Sequence, residues 1–255
     1  MASAAEAPRA DLSSHRLGGY QELHRLRSEH SDYPSQIRPV LAAKLRECRQ
    51  ARGAPLRILS VGAADGAYDQ TVFEAAGAGV CGEYTGVDVD ADALAQLGAR
   101  AAQLAPNVRL KHGAFEPALF DEGERFDAVL FVHSIHLMCL DPAFSLARSL
   151  LADGGLLLVA IQGAGGVPAL HARATGTAWP HNVAETVEAR LVEMGAPHEE
   201  HKLSCTVDLG GAHRRQIVEF MLFFSAEPAD AALRTLGDTF NEPMSVFSVY
   251  GGAWR

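Results

Sequence analysis

The chain has 255 residues, of which 48% are hydrophobic and 21% are charged, and its formal net charge is −9. This length and composition suit one domain with one sizeable core. The acidic balance and the lack of a Lys/Arg-rich block argue against a nucleic-acid-binding surface, and no apolar run approaches the roughly 20 residues of a membrane helix.

The four cysteines, Cys48, Cys81, Cys139 and Cys205, form neither a CxxC pair nor a zinc-binding spacing. That pattern is typical of reduced thiols in a cytoplasmic enzyme. The first residues lack the apolar segment of a signal peptide. We therefore expect a cytoplasmic protein that does not bind a membrane.

The chain begins with residues 1–14, an Ala-, Ser- and Pro-bearing stretch that is predicted to be disordered. Two helices follow, over Tyr20–Ser28 and Ile37–Gln50, with a polar break between them. Pro39 is tolerated in the second helix because it falls in the first turn. Residues 15–50 are predicted to form a helical lid over the binding edge of the sheet.

From residue 56 onward, strands and helices alternate. The predicted strands are Leu56–Val61, Glu83–Val87, Val108–His112, Phe126–Val132 and Leu156–Ile161, and the predicted helices are Tyr68–Ala76, Ala91–Leu104 and Ala143–Leu151. The glycines after Asp153 are typical of a helix end. Alternation predicts a parallel sheet that binds ligands beyond the carboxyl ends of its strands, so residues 56–161 are predicted to be the cofactor-binding core.

The pattern changes after residue 162. The remaining predicted elements are a helix at Val183–Met194, strands at Lys202–Leu209 and Ile217–Phe224, a helix at Ala229–Thr239 and a strand at Ser245–Tyr250. The first two strands are predicted to pair in antiparallel fashion, so residues 162–255 supply the sheet edge and the substrate region. We expect one α/β domain over residues 15–255, with a Rossmann-like, mostly parallel seven-stranded sheet, an antiparallel edge strand and the N-terminal helical lid.

The turn at residues 62–66, GAADG, follows the first strand, and Asp88 ends the second. Strand, glycine turn, helix, strand and acid form the βαβ pattern of a nucleotide-type cofactor site. Gly62 lets a ligand approach the backbone because it has no Cβ, and Asp88 can accept hydrogen bonds from a ribose diol. The glycine motif is incomplete and Asp65 would repel a pyrophosphate, which disfavours an NAD-dependent dehydrogenase. An ordinary turn and a helix cap are the structural alternatives.

These features resemble the class I S-adenosylmethionine-dependent methyltransferases. In that family the turn after the first strand wraps the amino-acid part of the cofactor, and the acid after the second strand holds the ribose. The resemblance implies S-adenosyl-L-methionine as cofactor. It assigns cofactor binding to residues at the tips of the first four strands: Gly62, Ala63, Asp65, Asp88, Val89, Ala114, Phe115, His133 and Ile135.

Methyl transfer from a sulfonium needs an unprotonated acceptor atom, in line with the methyl group, in a water-poor pocket. It needs neither a protein nucleophile nor a metal. His136 directly follows the fourth strand, where it can face the cleft and accept a substrate proton, since its unperturbed pKa is near neutrality. A histidine that only caps loop backbone is the structural alternative.

Three segments resemble the histamine N-methyltransferase family: SEH at residues 28–30, RILSVG at 57–62 and FVHSIH at 131–136. The resemblance implies that Glu29 holds the substrate amine, for which a carboxylate is a suitable partner. A solvated turn acid is the alternative.

The same resemblance places further substrate contacts. The family's glutamine falls at His136, its aromatic pair falls at Cys139 and Leu140, and its asparagine falls near Asn241–Glu242, so the substrate half departs from the family. The predicted catalytic residues are His136 and Glu29. The predicted substrate-binding residues are Tyr20, Glu29, His136, Cys139 and Glu242.

We therefore expect a monomeric S-adenosylmethionine-dependent N-methyltransferase that acts on a small amine or imidazole-type metabolite, with neither nucleic acid nor membrane as partner. An O- or S-methyltransferase of a small specialised metabolite is the first alternative, and an inactive cofactor-binding partner protein is the second. Glu29 distinguishes the N-methyltransferase from the O- or S-methyltransferase, because an enzyme that acts on a phenol or thiol does not need this carboxylate.

Overall fold

The computed structural model describes the backbone of residues 17–222 and 226–251, and the side chains of residues 22–222 and 228–251. Within these ranges seven strands form one sheet. They are β1 (Leu56–Val61), β2 (Cys81–Asp88), β3 (Asn107–His112), β4 (Phe126–Val132), β5 (Leu151–Gln162), β6 (His198–Asp208) and β7 (Thr239–Tyr250). Their spatial order is β3-β2-β1-β4-β5-β7-β6.

Strands β1 to β5 are parallel, and β7 is antiparallel to both of its neighbours, β5 and β6. The predicted Rossmann-like, mostly parallel seven-stranded sheet is confirmed. The antiparallel strand lies one place in from the edge, where Glu242 pairs with Cys205 of β6. This topology places the carboxyl ends of the parallel strands at one edge, beside the beginning of β7.

Ten α-helices accompany the sheet within the described ranges. They are α1 (Leu17–Glu29), α2 (Tyr33–Arg52), α3 (Ala67–Ala76), α4 (Ala91–Ala99), α5 (Ala101–Leu104), α6 (Leu140–Leu150), α7 (Val167–Thr175), α8 (Ala184–Glu193), α9 (Arg214–Met221) and α10 (Ala226–Leu233). Helix α2 buries Ile37, Leu41 and Leu45, which lie on one helical face. Strand β4 is buried along almost its whole length, as expected for a central parallel strand with helices on both faces. No helix in these ranges is long and apolar enough to cross a membrane.

The polar break between α1 and α2 is attached to the edge of the sheet. Ser31 forms an antiparallel bridge with Val207 of β6. The backbone N–H of Thr206 donates to Asp32 Oδ1 at 2.7 Å, and the backbone N–H of Asp208 donates to the His30 carbonyl at 2.7 Å. Because these bonds continue the ladder past β6, they hold α1 against the side of the sheet where the parallel strands end.

The predicted strand at Ile217–Phe224 is wrong, because α9 occupies residues 214–221. Ile217, Val218 and Met221 are buried at a spacing that fits one face of a helix, and a short apolar run does not separate helix from strand by periodicity. The antiparallel partner of β6 is β7, which begins at Thr239 and not at Ser245. Phe224 lies outside the described residues.

Other boundaries also differ from the predictions. Helix α2 begins at Tyr33, so Pro39 lies in the helix interior and not in the first turn. Helix α6 ends at Leu150, and Gly154, with a φ of +68°, lies inside β5 and does not cap a helix. Helix α7 was not predicted. The predicted disorder of residues 1–14 falls outside the described residues.

Asp127 links β1 and β4 near the amino-terminal ends of these strands. Its Oδ2 accepts hydrogen bonds from the backbone N–H of Arg57 at 2.9 Å and from Arg57 Nε at 3.2 Å, and its Oδ1 lies 3.4 Å from Arg52 Nη2. Burial acts to raise the pKa of Asp127, but the hydrogen bonds and charges of the two arginines outweigh burial and lower it. The ionised carboxylate therefore stabilises the folded state.

We expect Asp127→Asn to lower the free energy of unfolding at neutral pH by about 1–3 kcal/mol, the scale of hydrogen bonds to a charged group. The folded-state pKa lies below the unfolded value of about 3.9. The wild-type advantage should therefore be present above that value and disappear as the pH falls through the folded-state pKa. Urea unfolding of both proteins across pH measures this difference, with the exposed Asp153→Asn as control. A difference that does not change at acid pH would contradict this role.

Candidate active site

The turn after β1 and the turn after β4 pack directly against each other. Gly62 has a φ of +69°, and a Cβ added to it would lie 2.4 Å from Ser134 Cβ. The backbone N–H of Gly62 donates to the Val87 carbonyl at 2.8 Å, which joins this turn to the end of β2. Gly62 is therefore needed for both its backbone conformation and the close approach.

Asp88 is held in place by backbone donors. The N–H of Ala64 donates to Asp88 Oδ2 at 2.8 Å, and the N–H of Asp90 donates to Asp88 Oδ1 at 2.9 Å. A carboxylate has about four acceptor positions, so each oxygen can accept a further bond. A half-buried carboxylate fixed at a strand tip beside a glycine turn fits a ribose diol.

Asp65 is already engaged by neighbouring groups. Its Oδ2 lies 3.0 Å from Arg100 Nη2, and its Oδ1 accepts a hydrogen bond from the backbone N–H of Ala67 at 3.0 Å. Arg100 partly neutralises the negative charge of Asp65. Ala63, the next predicted contact, is buried under the turn, and its N–H donates to the Val87 carbonyl at 3.1 Å.

The tips of β2 and β3 offer an apolar surface. Val89 is 52% exposed and follows Asp88, and Ala114 is exposed. Phe115 is half-buried and packs edge-on against Phe131, with the ring centroids 5.5 Å apart. Exposed apolar side chains beside the ribose acid fit the flat face of an adenine ring.

His133 and Ile135 follow β4 but differ in surroundings. His133 has a φ of +53°, and its ring lies edge-on to Tyr33 with the centroids 4.5 Å apart. Ile135 is fully buried in the core, and the prediction that it packs on the cofactor stays a prediction. The turn Ile135–Leu137 is a single 3₁₀ turn, which directs Ile135 inward while the histidine on each side lines a cavity.

That cavity, of about 60 Å³, lies beyond the carboxyl ends of β4 and β5 and under α1. Polar and aromatic side chains line it together with a few aliphatic ones. They are His24, Arg27, His133, His136, Gln162, Val167, Trp179, Phe220, Met221 and Glu242.

A buried ion pair crosses this cavity. Arg27 of α1 donates from Nη2 to Glu242 Oε1 of β7. Glu242 is fully buried, and Arg27 is 7% exposed. The Arg27 guanidinium lies 5.1 Å from the centre of the Tyr33 ring, while Glu242 Oε2 is buried and has no hydrogen-bond partner among the described residues. The predicted substrate residue Glu242 thus lies in the cavity, with its charge paired to an arginine.

The histidines of the cavity are neutral at physiological pH. Burial lowers the pKa of His136 to about 3, with smaller effects from His181, His24 and Arg27. Burial also lowers the pKa of His24 to about 4 and that of His133 well below its usual range. His136 Nδ1 is buried and has no hydrogen-bond partner among the described residues.

Glu29 is not among the residues that line the cavity, and its contact with a substrate amine stays a prediction. Its side chain is 56% exposed and pairs with Arg25 Nη1 at 3.1 Å, one turn earlier on α1. Successive helical residues are about 100° apart, so Glu29 is rotated by about 200° from Arg27, which faces inward.

Cys139 and Tyr20 are the other two residues that were predicted to contact the substrate. Cys139 is exposed at the N-cap of α6 and is not a lining residue of the cavity, and its substrate contact stays a prediction. Tyr20 is in α1, but its side chain lies outside the described residues.

Arg27 and Gln162 are functional candidates that were not predicted. Arg27 lies seven residues after Tyr20 and on the same helical face, so a charged residue in an apolar stripe was the available signal. Gln162 ends β5, and its place at a strand tip was a second signal. Trp179 and Phe220 come from segments whose approach depends on tertiary packing, for which the sequence offers no local signal.

We expect Gly62→Ala to lower the free energy of unfolding by about 2–4 kcal/mol, since it adds overpacking to a left-handed backbone cost. Gly53→Ala is the matched control, because Gly53 has a φ of +70° and open space around it. Adding Ser134→Gly to Gly62→Ala should recover the overpacking part and leave a cost close to that of Gly53→Ala. Equal unfolding energies for Gly62→Ala and Gly53→Ala would show that the contact with Ser134 is unimportant.

Comparisons with known proteins agree with this geometry. Residues 59–157 match the family described as Methyltransferase domain. No curated protein sequence matches the chain at a comparable level.

Solved structures share the fold. The YcgJ protein from Bacillus subtilis aligns with a TM-score of 0.60 at 17% identity over 84% of this chain and 98% of its own. The N-methyltransferase NodS from Bradyrhizobium japonicum WM9, in complex with S-adenosyl-L-homocysteine, has a TM-score of 0.51 at 17% identity over 91% of this chain and 97% of its own. An S-adenosylmethionine-dependent methyltransferase from Thiobacillus denitrificans, in complex with the same ligand, has a TM-score of 0.51 at 17% identity over 83% of this chain and 90% of its own.

The family match covers the strands and turns that carry Gly62, Asp88 and Phe115, and the structures share the sheet around them. Residues 59–157 of this chain therefore match a methyltransferase domain, and the chain shares the fold of two methyltransferases whose structures hold S-adenosyl-L-homocysteine.

Proposed function

We propose that this protein transfers a methyl group from S-adenosylmethionine to a nitrogen atom of a small amine or imidazole-type metabolite, and that it does so as a monomer. One observation carries the choice of nitrogen. Glu242 Oε2, a buried acceptor without a described partner, lines a cavity at the carboxyl ends of β4 and β5, and so does the imidazole of His136, whose buried Nδ1 also lacks a described partner. Buried acceptors are normally satisfied, and an N–H-bearing ligand supplies the missing donor.

The residues at the strand tips would hold the cofactor, which supplies an electrophilic methyl group when bound. Asp88 would accept hydrogen bonds from the ribose hydroxyls, since both of its oxygens are fixed and retain acceptor capacity. The backbone at Gly62 would lie against the amino-acid part. Val89 and Phe115 would flank the adenine, and His133 would lie where the cofactor site meets the cavity.

His136 would position the acceptor and would not remove its proton. A group with a pKa near 3 holds a proton poorly at neutral pH, but a neutral imidazole nitrogen accepts a hydrogen bond well. Burial and the positive charge of Arg27 disfavour a charged ammonium, whereas the carboxylate of Glu242 favours it. Methyl transfer requires the unprotonated nitrogen, so a bound ammonium would first release a proton to solvent.

Among the structural relatives, NodS is described as an N-methyltransferase, which is consistent with nitrogen as the acceptor. The resemblance to the histamine N-methyltransferase family stays a prediction. Glu29 and Cys139 do not line the cavity, which weakens histamine as the specific acceptor.

We expect Asp88→Asn to weaken binding of S-adenosylhomocysteine by about 1–3 kcal/mol, because it removes charged acceptors for the ribose hydroxyls. Isothermal titration measures the change. Asp92→Asn, an exposed acid in the first turn of α4, is the control. Unchanged affinity in a folded Asp88→Asn protein would remove Asp88 from the cofactor site.

Glu242→Gln should raise the KM for the nitrogen acceptor by about tenfold or more, because it replaces a carboxylate oxygen by an amide donor at a desolvated position. Glu29→Gln, on the exposed face of the same lid, should leave KM and kcat unchanged. Transfer of labelled methyl groups to a panel of amines, imidazoles, phenols and thiols identifies the acceptor and measures both constants. Affinity for S-adenosylhomocysteine shows that each variant is folded. Turnover confined to phenols or thiols, or a normal KM in Glu242→Gln, would refute nitrogen recognition by this cavity.

A further inference from the structure

We propose that the methyl acceptor is a zwitterion, a small amine that also carries a carboxylate, with its nitrogen facing Glu242 and its carboxylate facing Arg27. The inference rests on the proposed function, because it names the substrate class of the same cavity. The observation behind it is the ion pair that crosses the cavity.

The charges in the cavity are balanced before any ligand enters. Among the described residues that line it, Arg27 carries a formal positive charge and Glu242 carries a formal negative charge. The histidines add no charge at physiological pH, because burial lowers the pKa of each. A ligand with a net charge would therefore be uncompensated in a buried space, which is costly.

The geometry of the pair suits two opposite ligand charges. Glu242 uses Oε1 for Arg27 and leaves Oε2 without a described partner, so a ligand N–H can bind there without breaking the pair. The Arg27 guanidinium is oriented by the Tyr33 ring, and a planar guanidinium matches the geometry of a carboxylate. A zwitterion set antiparallel to the pair gives each of the four charges an opposite neighbour.

A simple cationic amine fits less well. It would satisfy Glu242 Oε2 but would place a second positive charge beside Arg27. A ligand carboxylate removes that repulsion, because it lies against the guanidinium while the nitrogen lies against the glutamate.

Contact between the ligand nitrogen and Glu242 is also compatible with methyl transfer to that nitrogen. The ligand nitrogen first releases a proton to solvent. Its lone pair then forms the bond to the methyl carbon, while the carbon–sulfur bond breaks and its electron pair stays on sulfur. Positive charge returns to the nitrogen in this step, so Glu242 lies where charge develops and stabilises it.

Binding of matched probes to the protein saturated with S-adenosylhomocysteine tests the inference. The probes are amino acids, each compared by titration calorimetry with the amine formed by decarboxylation and with its methyl ester; glycine with methylamine and histidine with histamine are two such pairs. At least one amino acid should bind about tenfold or more tightly than its amine and its ester, the scale of coupling between close charge pairs.

Variants then assign the effect to the ion pair. Arg27→Met should abolish the preference for the carboxylate. The double variant Arg27→Met, Glu242→Met removes both charges together and leaves no buried unpaired charge, and it should lose both the preference and the binding of the amine. Lys44→Met removes the ion pair of Lys44 with Glu199 elsewhere on the molecule and should change neither.

Three results would overturn the inference: amines or esters that bind as tightly as the amino acids, a carboxylate preference that survives Arg27→Met, or no binding by any amino acid. In the first two cases the ion pair only attaches the lid to the sheet. Failure of the proposed function looks different, because then S-adenosylhomocysteine itself would not bind or no acceptor would be methylated.

Discussion

The buried ion pair between Arg27 and Glu242 is the contact on which the arrangement of the cavity depends. It joins α1, which is otherwise attached to the sheet through the edge hydrogen bonds near Ser31, to the beginning of β7. Two desolvated charges stabilise a fold only weakly, but either one left alone would be strongly unfavourable. If α1 moved away from the sheet, Glu242 would be left buried without its partner. The position of α1 and the charge balance of the cavity therefore depend on each other.

The burial that pairs Arg27 with Glu242 also keeps the nearby histidines neutral. The interior beneath α1 contains His24, His133 and His136, and the nearby guanidinium adds to the desolvation that lowers the pKa of each. Sequence reasoning assigned His136 the pKa of an isolated imidazole and made it a base. Burial, which the sequence does not reveal at a strand tip, lowers the pKa of His136 to about 3, which disfavours a role as a base.

The part of the site that would bind the cofactor was predictable because its elements follow one another closely along the chain. A buried strand, a turn at Gly62, a helix and Asp88 occur in one short segment, and parallel pairing must bring their ends together. The part of the site that would bind the substrate depends on which side of each helix faces inward and on contacts between segments that are distant along the chain. A change of two residues along α1 separates exposed Glu29 from buried Arg27, and the apolar run at Ile217 is compatible with a strand until α9 packs beside α1. The sequence therefore located the segments of this part without showing which side chains face inward.

Backbone strain within the described residues also gathers where these two parts meet. The non-glycine residues with positive φ are Ala64, at +47°, and His133, at +53°. They lie in the two turns that touch through Gly62 and Ser134. The Ala64 conformation directs its N–H to Asp88, and the His133 conformation accompanies a ring packed against Tyr33. Positive φ is uncommon for residues other than glycine, although histidine adopts it more readily than alanine, so the surrounding contacts help to impose it. Sequence rules fail at these two positions because each satisfies the geometry of the site at the expense of local preference.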